Sequence, residues 1–150
     1  MPYLARQPVA GFAWPMSIRG LNHLTLTVAD LERSVAFYRE VLEFELRAMW
    51  ATGAYLEAGT LWLCLSAGDG SAPAGGETHY AFDVTEAEFG ALAERIRRTA
   101  PPWKENSSEG ASVYFLDPDG HRLELHVGSL ASRLAHYSAH PDKGVTVVRG

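Results

Sequence analysis

The chain has 150 residues, 47% of them hydrophobic and 21% charged, enough for a real core in one domain or two fused half-domains. A formal net charge of −5 argues against general nucleic-acid binding while leaving room for a local basic pocket that holds a small anion. The single cysteine, Cys64, excludes an internal disulfide and a multi-cysteine zinc site, and no apolar run reaches membrane-spanning length, so the sequence reads as soluble, cytoplasmic and without a membrane partner.

Residues 1–15 contain one arginine and no continuous signal-peptide core. Patterned sequence begins just after Met16, which reads as a natural start, and residues 1–17 read as an N-terminal extension, non-native or flexible. The first strand is predicted over 20–28. Its alternation puts His23, Thr25 and Thr27 on one face and Asn22, Leu24, Leu26 and Val28 on the other. Asp30 then caps a helix running to about Glu43, with Glu32 in its first turn favouring the dipole. Leu31, Val35, Tyr38 and Leu42 form the buried stripe of that helix. A strand over 44–51, a turn at 51–54 and a hairpin of 55–58 with 61–66 around Gly59 complete a β-α-β-β-β unit, 20–66. Residues 67–77 are a glycine-rich linker.

The pattern repeats over 78–127. Thr78 to Val84 nearly copies the first strand, and each of His23 and His79 lies five residues before a valine. Thr85 and Glu88 fit a capping box, and Phe89, Leu92 and Ile96 form the stripe of a helix ended by Pro101-Pro102. Strands follow over 103–106 and 112–116. Asp117-Pro-Asp-Gly120 is a strong turn signal. The last strand, 121–127, places Arg122, Glu124 and His126 on one face and Leu123, Leu125 and Val127 on the other. A short helical stretch over 129–137 precedes a patternless tail, 139–150.

The reading is therefore an α+β chain of two β-α-β-β-β modules, whose curved sheets pair edge to edge into a cup. That cup would contain His23, His79 and Glu124. Two imidazoles and one carboxylate bind a divalent ion and leave coordination positions open for catalysis. Taken singly, a strand histidine is usually structural, and His121 and His126 are read as structural or as supports behind the ligands. Cys64 alone reads as a small buried hydrophobe rather than a nucleophile.

Several segments carry a more specific signal: Gly20-Leu-Asn-His-Leu-Thr-Leu26, Ser34-Val-Ala-Phe-Tyr38, Gly53-Ala-Tyr-Leu-Glu57, Leu61-Trp-Leu-Cys-Leu65, Thr78-His-Tyr-Ala-Phe82, Trp103-Lys104, 106–110 and Tyr114-Phe-Leu-Asp-Pro-Asp-Gly-His-Arg-Leu-Glu124. Over 18–138 the chain resembles the vicinal oxygen chelate superfamily, which includes glyoxalase I and extradiol dioxygenases. Within it the resemblance is to the FosA-type fosfomycin resistance branch, glutathione transferases that open an epoxide.

The resemblance implies a domain-swapped homodimer binding Mn²⁺ through His23, His79 and Glu124. His23 of one chain would join His79 and Glu124 of the other. It implies that Lys104, Ser108, Ser112, Tyr114 and Arg133 hold the phosphonate of fosfomycin. Thr25 would lie beside the oxirane and Tyr55 near the incoming glutathione thiol, with one of them assisting the thiolate. Trp62 and Cys64 would line the pocket. K⁺ is expected in the loop of Asn106, Ser108, Gly110 and Ser112. A related branch hydrolyses the epoxide with a glutamate just upstream of the tyrosine, where this chain has Gly53. The chain departs from the FosA pattern at Glu77, where a pocket-shaping tyrosine is usual. Two other readings are a metal-dependent dioxygenase or isomerase acting on another small anion, and a non-catalytic binder that sequesters a ligand in the same cup.

Overall fold

The computed structural model describes residues 17–70, 72 and 75–148. The expected N-terminal extension, 1–17, lies outside the described residues apart from Ser17.

Strand β1 (His23–Val28) starts at the histidine rather than at Gly20, because its ladder begins where β4 offers a partner, at His23 opposite Trp62. Leu26 and Val28 are buried while His23 and Thr25 are exposed, as the alternation requires. Helix α1 (Leu31–Glu40) is capped by Asp30, whose side chain accepts from the Arg33 N–H. It stops short of the expected Glu43. Glu43 takes a left-handed φ of 63°, which turns Phe44 back into the core. Strands β2 (Glu45–Trp50), β3 (Gly53–Ala58) and β4 (Leu61–Ala67) complete the first sheet, in the order β1-β4-β3-β2.

The second half repeats this order. Strand β5 (Tyr80–Asp83) runs parallel to β8 (Arg122–His126), followed by β7 (Ser112–Leu116) and β6 (Pro102–Lys104). Helix α2 (Glu86–Thr99) is capped by Thr85, which accepts from the Glu88 N–H and donates its hydroxyl to the Glu88 carboxylate at 2.7 Å. Helix α3 (Leu130–Ala139) carries a reciprocal cap between Ser129 and Ser132. A 3₁₀ turn over Pro141–Lys143 gives the tail more local order than its composition suggests.

The expected cup does not close within one chain. Each sheet has four strands, and no ladder joins them. Their apolar faces share one core with the helices instead. That core runs from Leu26, Val35, Leu56 and Leu63 in the first half to Ile96, Phe115 and Leu123 in the second. Polar contacts fix the two halves. The Tyr38 hydroxyl donates to Asp117 at 2.9 Å. Asp119 accepts from the Ala29 N–H at 3.0 Å and from the Ser34 hydroxyl at 3.2 Å. His121, buried, donates Nε2–H to the Thr27 carbonyl at 2.8 Å. On α2, Arg95 reaches across to Glu43 at 2.6 Å. The faces turned away from this core carry His23, Thr25, Tyr55 and Cys64 on the first sheet and Ser112, Tyr114 and Glu124 on the second, while Arg133 lies on α3 and Asn106, Ser108 and Gly110 in the loop before β7.

Candidate metal centre and anion site

On the second sheet, His79 lies one residue before β5 rather than within it. Its Nδ1 is 2.6 Å from the Glu77 carbonyl, which fixes the ring and leaves Nε2 as the free donor atom. Nε2 is 2.9 Å from Glu124 Oε2. Two adjacent ligands, each about 2.1 Å from one ion at a right angle, lie about 3 Å apart. The pair therefore fits a shared divalent ion. The second carboxylate oxygen is held by the Ser112 hydroxyl at 2.6 Å. Glu124 is buried, so an ion between these groups would also relieve the cost of a carboxylate away from water.

His23 has the same arrangement on the first sheet. Its Nδ1 is 2.8 Å from Asn22 Oδ1, leaving Nε2 free, and its ring leans on Trp62 at 4.6 Å. Among the described residues, however, no three His, Cys, Asp or Glu side chains converge as a metal cluster within one chain. The structure brings His79 and Glu124 together and leaves His23 on the other open face.

Strand pairing gives the duplication an atomic meaning. In the first sheet Cys64 lies between Thr25 and Tyr55; in the second Glu124 lies between Ala81 and Tyr114. Cys64 thus occupies the position equivalent to Glu124, facing away from the core that holds Leu63 and Leu65. Tyr55 stands edge-on to Trp62 at 5.1 Å and to Trp50 at 4.8 Å. Gly53 lies beneath this group. A Cβ there would sit 2.3 Å from the Trp50 ring and 3.0 Å from the Leu65 carbonyl, so the position has no room for a side chain as the ring stands.

The anion residues cluster around β6 and β7. A bulge between Pro102 and Lys104 lets both Trp103 and Lys104 reach Tyr114. The Lys104 ammonium lies 5.4 Å from the Tyr114 ring centroid, and Trp103 packs against Tyr114 at 5.4 Å and His79 at 5.6 Å. Lys104 is already paired, with Glu77 Oε2 at 2.5 Å. That hydrogen bond lowers the Glu77 pKa and raises that of Lys104. Arg133 is paired too: Nε meets the Glu109 carboxylate at 3.1 Å and Nη2 its carbonyl at 2.9 Å. Burial works against the Arg133 charge, but hydrogen bonds to Tyr137 and Glu109 outweigh it and move its pKa up.

The loop expected to hold a monovalent cation is closed by Asn106. Its amide donates to the Gly110 carbonyl at 2.9 Å and its oxygen accepts from the Ser108 N–H and hydroxyl. Gly110, with φ of 87°, packs so closely that a Cβ would lie 2.5 Å from the Val127 carbonyl. Ser112 turns away from this loop toward Glu124 and His126 Nδ1, the latter at 2.7 Å.

Two residues at the site escape the sequence reading as site members. Trp103 sits next to Lys104, but an isolated tryptophan looks like core. Glu109 reaches Arg133 only through the fold. His126 stands behind the ligands, as one of its two expected roles, holding Ser112, which in turn holds Glu124.

The sequence profile of the Glyoxalase/Bleomycin resistance protein/Dioxygenase superfamily matches residues 20–125. The chain belongs to this superfamily. It is 52% identical to the glutathione transferase FosA of Serratia marcescens over 85% of this chain and 94% of that protein. It is 34% identical to the metallothiol transferase FosB of Shouchella clausii, over 87% and 95%. Among solved structures, the fosfomycin resistance protein FosX of Listeria monocytogenes, complexed with Mn(II) and sulfate, superposes with a TM-score of 0.68. That match has 32% identity and covers 78% of this chain and 98% of the other. Within the superfamily the chain thus groups with the Fos proteins. No helix among the described residues is long and apolar enough to cross a membrane.

Proposed function

We propose that the protein is a Mn²⁺-dependent transferase that adds glutathione to the epoxide of fosfomycin, acting in the cytoplasm as a homodimer. The observation that carries this reading is the 2.9 Å approach of His79 Nε2 to Glu124 Oε2, beside the Lys104 ammonium and, among the described residues, without a third ligand converging on it. His23, on the other open face with its Nε2 free, is the ligand a second copy would contribute. The Fos proteins named above support the substrate class.

The reaction joins the thiol sulfur to the ring carbon bearing the phosphonate and breaks that carbon's bond to the ring oxygen. The oxygen keeps the bonding pair and takes a proton, giving a hydroxyl and a thioether with no atom lost. When bound, a divalent ion supplies Lewis acidity to the ring oxygen. The rest falls to the chain's own groups. Lys104 and Arg133 neutralise the phosphonate, with Ser108 and Tyr114 as hydroxyl donors, while Ser112, whose hydroxyl donates to Glu124, lines the same side of the site. Thr25, exposed and two residues beyond His23, orients the oxirane. Tyr55, exposed on the next strand but one, meets the thiol, while Trp62 and Cys64 form the wall between. K⁺ would sit in the loop from Asn106 to Ser112 and stiffen it behind the phosphonate.

Thiol addition is favoured over hydrolysis by Gly53, where the packed Trp50 ring leaves no space for an acid that could activate water. Incubation of the purified protein with Mn²⁺, glutathione and fosfomycin tests the proposal. Consumption of fosfomycin that requires thiol supports it; consumption without thiol refutes it.

A further inference from the structure

Glu77 has no role in the chemistry above, yet it makes the shortest polar contact at the site. Its carboxylate reaches Lys104 Nζ at 2.5 Å although the side chain is 73% exposed. The backbone that delivers it is built for the purpose. Gly75 and Gly76 both take left-handed φ values, 72° and 70°. The Gly75 carbonyl is anchored by Arg122 Nη1 at 2.7 Å, and the Glu77 carbonyl receives His79 Nδ1. The segment is thus pinned on both sides of Glu77, and the side chain turns over the cleft between Trp103 and Arg122 to meet the ammonium.

We propose that Glu77 is an autoinhibitory contact: a tethered carboxylate that occupies Lys104 and must be displaced before an anionic substrate binds there. This rests on the function proposed above. A lysine that faces water over two aromatic rings is an open anion receptor. With a carboxylate already seated on it, only the fraction of molecules with Lys104 released is competent, and apparent affinity falls by that fraction. Once displaced, Glu77 remains close by as a like charge and opposes the incoming anion further. The contact is exposed, so the effect is modest and shrinks as salt screens the pair.

The test is calorimetric titration of the Mn²⁺-loaded full chain with methylphosphonate, an anion without a reactive ring. Glu77→Gln should bind it roughly two- to fivefold more tightly than the wild type at low salt. Glu94→Gln, which removes an equal charge from the outer face of α2, should match the wild type. Equal affinity in Glu77→Gln and wild type overturns the inference, and so does weaker binding, which would make Glu77 a positioning residue for Lys104. If the wild type forms the glutathione adduct while Glu77→Gln shows no gain, this inference fails and the proposed function stands. If the wild type neither binds methylphosphonate nor forms adduct, both fall.

Discussion

His79 Nε2 and Glu124 Oε2 face each other at 2.9 Å, with Ser112 holding the far carboxylate oxygen at 2.6 Å. On the proposed function, Mn²⁺ affinity should depend on a residue that does not touch the ion. His79→Ala should abolish tight binding. Ser112→Ala should weaken it by about 10- to 100-fold, the usual range for groups that orient a ligand. Isothermal titration with Mn²⁺ measures both. Unchanged affinity in His79→Ala would remove this residue from the metal site.

Lys104 should matter more for substrate than for stability. Lys104→Ala removes a charge-assisted hydrogen bond to the phosphonate and should raise KM for fosfomycin by about tenfold or more, with little change in melting temperature. A KM equal to that of the wild type would place the phosphonate elsewhere.

The link between the two halves is testable through Tyr38. Tyr38→Phe leaves a buried Asp117 oxygen without its donor and should cost about 1–3 kcal/mol of stability by urea unfolding. It should also change the alkaline limit. Burial, then the neighbouring Asp117 charge, pushes the Tyr38 phenol well above its ordinary value near 10. Below pH 10 both folded and unfolded chains keep that proton, and its stabilising effect is fully present. Above it only the unfolded chain releases the proton. Stability then falls by about 1.4 kcal/mol per pH unit from this group until the folded phenol ionises. Tyr38→Phe should lose that component of the slope; an identical slope would contradict the assignment.

Asp119 anchors the same interface with bonds to the Ala29 N–H and the Ser34 hydroxyl, and its side chain is 3% exposed. Asp119→Ala leaves the buried Ser34 hydroxyl without this acceptor, while the exposed Ala29 N–H can turn to water. The expected loss is about 1–3 kcal/mol, read as a lower urea midpoint. A loss within about 0.5 kcal/mol of zero would show that the remaining contacts between the halves hold them without Asp119.

Much of the fold is legible in the sequence because its signals are local. Asp30 and Thr85 cap their helices at the positions their spacing marks, and the alternation around Leu26 and Leu123 assigns the buried faces. Asp117 to Gly120 turns as its composition requires. The rest depends on contacts between distant residues. The starts of β1 at His23 and of β5 just after His79 follow where a partner strand begins. Pairing of Lys104 with Glu77, 27 positions away, and of Arg133 on α3 with Glu109 follows from where the fold brings loops against β6 and α3. The two sheets share no ladder, and their apolar faces meet the helices in one core. Alternation alone identifies an apolar face without saying what will cover it. His23, His79 and Glu124 were legible as candidates from the repeat, and their division between two faces only through the family resemblance.

The most direct test of the central claim is mass spectrometry of the product formed with Mn²⁺, K⁺, glutathione and fosfomycin. A single product is expected, with a mass equal to the sum of glutathione and fosfomycin, and it should be absent with Glu124→Gln. Unreacted fosfomycin, or a product equal to fosfomycin plus one water, would contradict it.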